Sequence, residues 1–253
     1  MNAAPGESAS ATALSITVED VRARAPAWGL DCYRDLSRTL QSTDPAFPCT
    51  FAVGALARQH LRYYFAESPL EAASLSGVRD ALLEYMGNFR EIGGRYTSLV
   101  IFFRPESDPL PLDEYRRRFW NVLQYLHDRD PKPWPEGIPR TPDHPRWQFC
   151  CGGEDIFVVC NNPAHSGRLS RKSDGMTIFL QPMWTFEHLL ASEQRMLQAC
   201  RPIRARLEEY DQMGRHPALG MLGETSNREW QHYFLPDTNT DSYGQCPLKT
   251  DPV

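Results

Sequence analysis

Five stretches of the chain place Trp, His, Arg, Asn and Cys where an ordinary domain would carry turn or core residues: residues 47–51 (FPCTF), 119–135, 147–171, 179–182 (FLQP) and 227–239 (NREWQHYFLPDTN). In the third, His165 follows an apolar run and Pro163, on a loop stiff enough to aim an imidazole. Arg168 and Arg171 are near enough in sequence to reach one anionic group. Cys49 stands at an apparent helix start, where a lowered thiol pKa is expected, although a small residue packed under the helix is the plainer role. Glu229 lies among Trp230, Tyr233 and Phe234, a setting that can pair a planar cation through its carboxylate and stack it on rings. A helix with its aromatics in the core and Glu229 facing water fits the same pattern. Glu154 and Asp155 follow Gly152-Gly153 in a turn, where most carboxylates are only solvated. His127, beside Asp128 and Asp130, and His60 complete the set. No H-E-x-x-H, C-x-x-C or G-x-G-x-x-G pattern is present, which disfavours a zincin site, a paired-thiol zinc site and an internal nicotinamide or flavin domain.

Elements must hold these groups in place. Helical spacing runs through 30–41, resumes at 53–65 (VGALARQHLRYYF) after a Pro-containing break, and recurs at 70–89 and 112–130. The apolar, β-branched and aromatic run TSLVIFFR (97–104) reads as a buried strand ended by Pro105. Residues 130–147 are rich in Pro and form a stiffened loop. Residues 147–160 read as a hairpin, and MTIFLQP (176–182) as another strand. A long helix follows over 192–213, with Pro202 as its kink or break, and a short element surrounds NREWQHYF. With strands in the middle and helices on both flanks, the expected class is α+β: a single domain with a small, mainly antiparallel sheet flanked by helices. The expected divisions are a disordered lead (1–15), one folded unit (16–240) and a flexible tail (241–253).

The composition admits a full core and excludes some partners. The chain has 253 residues, 41% of them hydrophobic, and its 27 basic residues are outnumbered by 32 acidic ones, so nothing points to nucleic acid. The seven cysteines are scattered, which suits a reducing compartment. No apolar run reaches the length of a membrane span and the start has no signal-peptide pattern, so a cytoplasmic protein is expected. Whether it forms a homodimer is left open.

Over residues 40–239 those five stretches, in this order, resemble the YqcI/YcgG-like family. The resemblance implies a haem-dependent monooxygenase that N-hydroxylates a guanidine, L-arginine above all, in specialised-metabolite biosynthesis such as the D-cycloserine and guanitoxin pathways. It implies haem b, held without covalent attachment because there is no C-x-x-C-H, and an external electron donor or hydrogen peroxide as co-reactant. Within that resemblance His165 is the first candidate iron ligand, with His127, His60 and the thiol of Cys49 as alternatives. Arg168 and Arg171 are candidates for the propionates or a substrate carboxylate. Glu229, Asn161, Glu154 and Asp155 are candidates for substrate binding, and Glu229 and Trp230 for catalysis. A haem-binding sensor or carrier with no guanidine chemistry is the competing expectation.

Overall fold

The computed structural model describes residues 14–92, 95–239 and 244–250. Helices α1 (Val18–Arg24), α2 (Ala27–Leu40) and α3 (Thr50–Ala57) lead to strand β1 (Leu61–Ala66), helix α4 (Ala72–Asn88) and strand β2 (Ser98–Phe103). Helix α5 (Leu112–Asp128), strands β3 (Phe149–Cys151), β4 (Glu154–Asn161) and β5 (Thr177–Pro182), and helices α6 (Glu187–Leu190), α7 (Glu193–Tyr210) and α8 (Trp230–Tyr233) follow. The five strands form one sheet in the order β1-β2-β5-β4-β3. The α+β class stands, but the sheet is mixed rather than mainly antiparallel, because β1 and β2 pair in parallel while the other three pairings are antiparallel.

The difference comes from β1. Residues 53–65 do not form one helix: α3 stops at Ala57, Gln59 takes a left-handed φ of 60°, and 61–66 continue as a strand. LRYYFA satisfies helical spacing and strand alternation alike, and its Tyr-Tyr-Phe run favours a pleated surface. Helix α4 then bridges β1 to β2, the crossover that a parallel pair requires. The β3–β4 hairpin closes as its glycines suggest: Gly152 and Gly153 have φ of 68° and 78°, while Glu154 and Asp155 already belong to β4. Helix α7 continues through Pro202 instead of breaking there.

Strand alternation gives the sheet two separate faces. On one, Leu99, Ile101, Ile156, Val158, Ile178 and Leu180 meet α4, α5, Trp147 and α8 in a closed core. On the other, Leu61, Tyr63, Val100 and Phe102 pack against α1, α2 and Phe47. That second layer covers β1 and β2 and leaves β4 and β5 to face α7.

The chain ends depart from expectation where they are described. Of the expected lead, residues 1–13 lie outside the described residues; the backbone N–H groups of Leu14 and Ser15 donate to the Glu84 carboxylate at 2.8 and 3.2 Å. Of the expected tail, 241–243 and 251–253 lie outside the described residues. The 244–250 segment is not loose: Leu248 joins the core, and the backbone N–H and carbonyl of Lys249 exchange bonds of 2.9 and 3.1 Å with the side chain of Gln124. Among the described residues no helix is long and apolar enough to cross a membrane.

Helix α2 can approach β1 because Gly29 has no side chain; a Cβ there would lie 2.4 Å from the Phe65 ring. Gly29→Ala therefore loses stability by about 1–3 kcal/mol despite Ala's better helix propensity, an outcome that urea unfolding of the two proteins checks.

Candidate functional site

Between the β4–β5 part of the second face and α7 lies a cavity of about 330 Å³, within the range of small-molecule and cofactor pockets. Phe157 and Val159 of β4 and Phe179 of β5 form its floor. Helix α2 contributes Cys32, Asp35, Leu36 and Thr39, a single face at spacings of three and four. Cys49, Phe51 and Ala52 close the end at the start of α3. The opposite wall is α7, where Met196, Cys200, Ile203 and Leu207 make one apolar stripe. None of the residues of α7 is buried, so this stripe faces the cavity and does not sit on the sheet.

The polar groups gather where the 161–172 segment and the chain near α8 reach the cavity. Glu229 and His232, both buried and both lining it, stand with Oε1 and Nδ1 3.4 Å apart. Asn227 donates to Glu229 Oε2 at 3.1 Å, and His232 Nε2 donates to the Ala218 carbonyl at 2.6 Å. Burial by itself would push the Glu229 carboxyl up, but the imidazole of His232 and the amide of Asn227 outweigh it and hold it below the usual carboxylate range. The cavity thus contains a carboxylate that stays charged. Arg171 donates to the His232 carbonyl at 3.3 Å and also lines the cavity. Asp211, raised mainly by burial, accepts from the amide and hydroxyl of Ser170 at 2.7 and 2.9 Å.

One carboxylate shapes the loop that carries the arginines. Asp237 accepts the backbone N–H groups of Ser166, Gly167 and Arg168 at 2.9, 3.0 and 2.8 Å, and the Ser166 hydroxyl at 2.8 Å. Burial opposes its charge, but these donors outweigh it and depress its pKa well below the ordinary carboxylate value. His165 Nδ1 lies 3.3 Å from Asp237 Oδ1, and its Nε2 is buried with no hydrogen-bond partner among the described residues. Burial pushes this imidazole down to about 4, against the pull of Asp237, so it is neutral near pH 7. Arg168 extends the clasp with bonds to the Pro236 carbonyl and Asn239 Oδ1 at 2.9 and 2.8 Å.

The sequence-predicted residues divide between the cavity and other places. Glu229, Asn161, Arg168, Arg171 and Cys49 line it. His165 does not, although its neighbours in the loop do. His127 packs its ring against Trp134, centroids 5.7 Å apart, on the far side of the sheet with α5. Trp230 is a core residue set edge-on to Trp120. Glu154 already holds a guanidinium, that of Arg90, through two bonds of 2.8 and 3.0 Å at the surface. Asp155 pairs with Cys150 in the hairpin register and is raised by burial; it does not line the cavity. His60 ends the α3–β1 connection and its carbonyl accepts from Thr97 at 2.8 Å. The expected lowering of the Cys49 thiol is not found: burial raises it, and the N–H bonds from Ala52 and Phe51 only partly offset that. His232 was not singled out from sequence, although its spacing of three from Glu229 puts both on one side of a helical turn.

The profile of the YqcI/YcgG family matches residues 36–249. The uncharacterised protein YcgG of Bacillus subtilis (strain 168) is 36% identical over 234 residues, covering 91% of this chain and 92% of that protein. The uncharacterised protein YqcI of the same organism is 34% identical over 234 residues, 91% of each chain. A Streptomyces lavendulae protein provisionally named N(omega)-hydroxy-L-arginine synthase DcsA is 29% identical over 232 residues, 87% of this chain and 84% of its own. No solved structure matches the chain.

The His165–Asp237 pair fixes an acid dependence. The folded pKa of His165 lies below its unfolded value of about 6.5, so as pH falls from there toward about 4 the unfolded chain binds more protons and stability drops. Asp237, depressed in the fold, adds a loss in the same direction at lower pH. Between pH 7 and pH 4.5 the contribution of His165 to stability is expected to fall by about 2 kcal/mol, so urea unfolding at the two pH values should show a steeper acid loss in wild type than in His165→Gln. Asp237→Asn costs about 2 kcal/mol at pH 7 by leaving buried donors badly paired.

Proposed function

The chain belongs to the YqcI/YcgG family, and on that footing we propose that it is a haem-dependent monooxygenase that N-hydroxylates a guanidine, with L-arginine as substrate and N(omega)-hydroxy-L-arginine as product. The observation that carries this reading is the apolar cavity with the buried carboxyl of Glu229, held by His232 and Asn227, on its wall. The name of the Streptomyces lavendulae relative supports the choice of substrate.

The residues present fit a haem. Aromatic and aliphatic walls would suit a porphyrin, Cys49 would supply a thiolate to the iron, and Lys172, Arg204 and Arg215, which line the cavity, would meet its carboxylates. Cys49 is better placed as the ligand than His165: it lines the cavity, and its Sγ accepts the Ala52 N–H at 3.4 Å, the kind of donor that steadies a metal-bound thiolate. A raised thiol pKa does not argue against this, since a coordinating metal deprotonates a thiol outright. His232, the one histidine lining the cavity among the described residues, already spends Nε2 on the Ala218 carbonyl.

When bound, the haem supplies oxygen activation and the transfer of one oxygen atom. The reaction takes O₂ with two electrons and two protons from an external donor, or hydrogen peroxide, places one oxygen in an N–H bond and releases water. The chain's own part is positioning. Glu229 stays ionised and accepts N–H bonds from the guanidinium, matching its charge in a site where an unpaired cation would be costly. His232 and Asn227 hold that carboxylate in place. Arg168 and Arg171, which line the cavity, suit a substrate carboxylate, and the apolar walls exclude bulk water.

Purified protein is expected to show a Soret band that Cys49→Ala abolishes or shifts and His165→Ala leaves in place; absorption spectra with carbon monoxide check this. Incubation with L-arginine and peroxide or a reductant should give a product heavier by one oxygen by mass spectrometry. Haem without product across a guanidine panel would favour a sensor or carrier, and absence of a Soret band would remove the proposal. Glu229→Gln should keep the spectrum and lower kcat/KM for L-arginine at least about tenfold.

A further inference from the structure

We infer that a cation enters the site at Glu229 in exchange for a proton held at Nδ1 of His232, so that binding releases this proton to solvent; the inference rests on the guanidine reading above. Hydrogen-bond roles fix where the proton sits. The Ala218 carbonyl can only accept, so its 2.6 Å contact with His232 Nε2 requires a proton on that nitrogen. The other ring nitrogen, Nδ1, stands 3.4 Å from Glu229 Oε1. In a neutral imidazole protonated at Nε2, Nδ1 carries a lone pair, which would face the carboxylate with nothing between them. The approach is favourable when a further proton lies on Nδ1, making the ring an imidazolium beside an anion. Glu229 and His232 are each only 5% exposed, and a buried pair of opposite charges costs less than a lone charge there.

The surroundings leave that proton to His232. Arg171, which donates to the His232 carbonyl from the 161–172 segment, stays charged throughout. Asn227 and Gln148 face Glu229 as neutral amides. Tyr233, next in the same helix, is a buried phenol held well above its ordinary range by burial and by the charge of Glu229. His216, in the turn that carries Ala218, uses Nδ1 to accept the Ala218 N–H at 3.1 Å. Asp211 lines the same cavity but accepts from Ser170. A guanidinium that joined the neutral Glu229–His232 pair would leave an uncompensated buried cation. Loss of the Nδ1 proton restores neutrality, with the carboxylate opposing the guanidinium and His232 still donating from Nε2. The freed Nδ1 lone pair then accepts a guanidinium N–H, since that group has five donors and a carboxylate takes two in the parallel mode. A neutral ligand of the same shape brings no charge to exchange.

The test is calorimetric titration of the purified full chain with methylguanidine and with methylurea, its uncharged analogue, in pairs of buffers of unlike ionisation heat, where the difference in heat counts the protons released. Over about pH 5.5 to 8.5, methylguanidine should release about one proton at the acid end and less as pH rises, and should bind about tenfold more weakly per pH unit toward acid where release is complete. Methylurea should release none. His232→Gln, whose amide can donate to Ala218 but holds no titratable proton, should abolish the release and flatten the pH dependence; if melting curves show this variant unfolded, the comparison of the two ligands on wild type decides. Methylguanidine binding without proton release, equal release by methylurea, or release unchanged in folded His232→Gln would overturn this inference and leave the guanidine reading standing. If wild type binds neither methylguanidine nor L-arginine, the guanidine reading itself fails and this inference falls with it.

Discussion

The amides of Ser166, Gly167 and Arg168 converge on the carboxylate of Asp237, and the loop that brings Arg168 and Arg171 to the cavity has its shape because of that convergence. Three successive N–H groups in a turn make a concave anion site, and here the anion comes from the chain itself. Asp237 precedes the end of the last packed segment, so a single side chain ties the middle of the sequence to its C-terminal part. Arg168 repeats the tie with Pro236 and Asn239. His165 is buried as a neutral ring beside the same carboxylate, which makes the clasp weaker in acid. The hydrogen bonds of this loop hold the cavity wall in place.

The second constraint is that a sheet has two faces and this one is covered unevenly. Helices α4, α5 and α8 fill one side with side chains. On the other side α1 and α2 stop over β1 and β2, and α7 spans the rest with an apolar stripe that lines the cavity. Amphipathic helices normally set such a stripe against a core. Here the stripe, the strand residues beneath it and the face of α2 form walls of one space, and the fold's least-packed layer is the one available for a ligand.

Charge in that space is handled by pairing. Glu229 is buried, and its cost of desolvation is outweighed by His232 and Asn227, so it remains an anion among aromatic and aliphatic neighbours. Asn161, by contrast, is buried with its carbonyl oxygen unpaired among the described residues. An acceptor buried without a donor is a local cost in stability.

Several elements carry strong local signals in the sequence. TSLVIFFR favours a buried strand and forms one, the Gly152-Gly153 pair permits a turn and closes the hairpin, and helical spacing marks α4 and α5. The sequence also marked the stretches that supply Cys49, Asn161, Arg168, Arg171 and Glu229, since polar and sulfur-bearing residues interrupt apolar patterns there. Residues 61–65 read as helix, wrongly, because their local pattern fits helix and strand equally, and only pairing with Ser98–Phe103 decides between them. Tertiary structure alone decided that Glu154 is satisfied by Arg90, that Trp230 belongs to the core, and that His165 faces Asp237 while His232 lines the cavity. The physical reason is that these outcomes depend on which distant groups reach the same point, through pairings across tens of residues that periodicity and propensity do not encode.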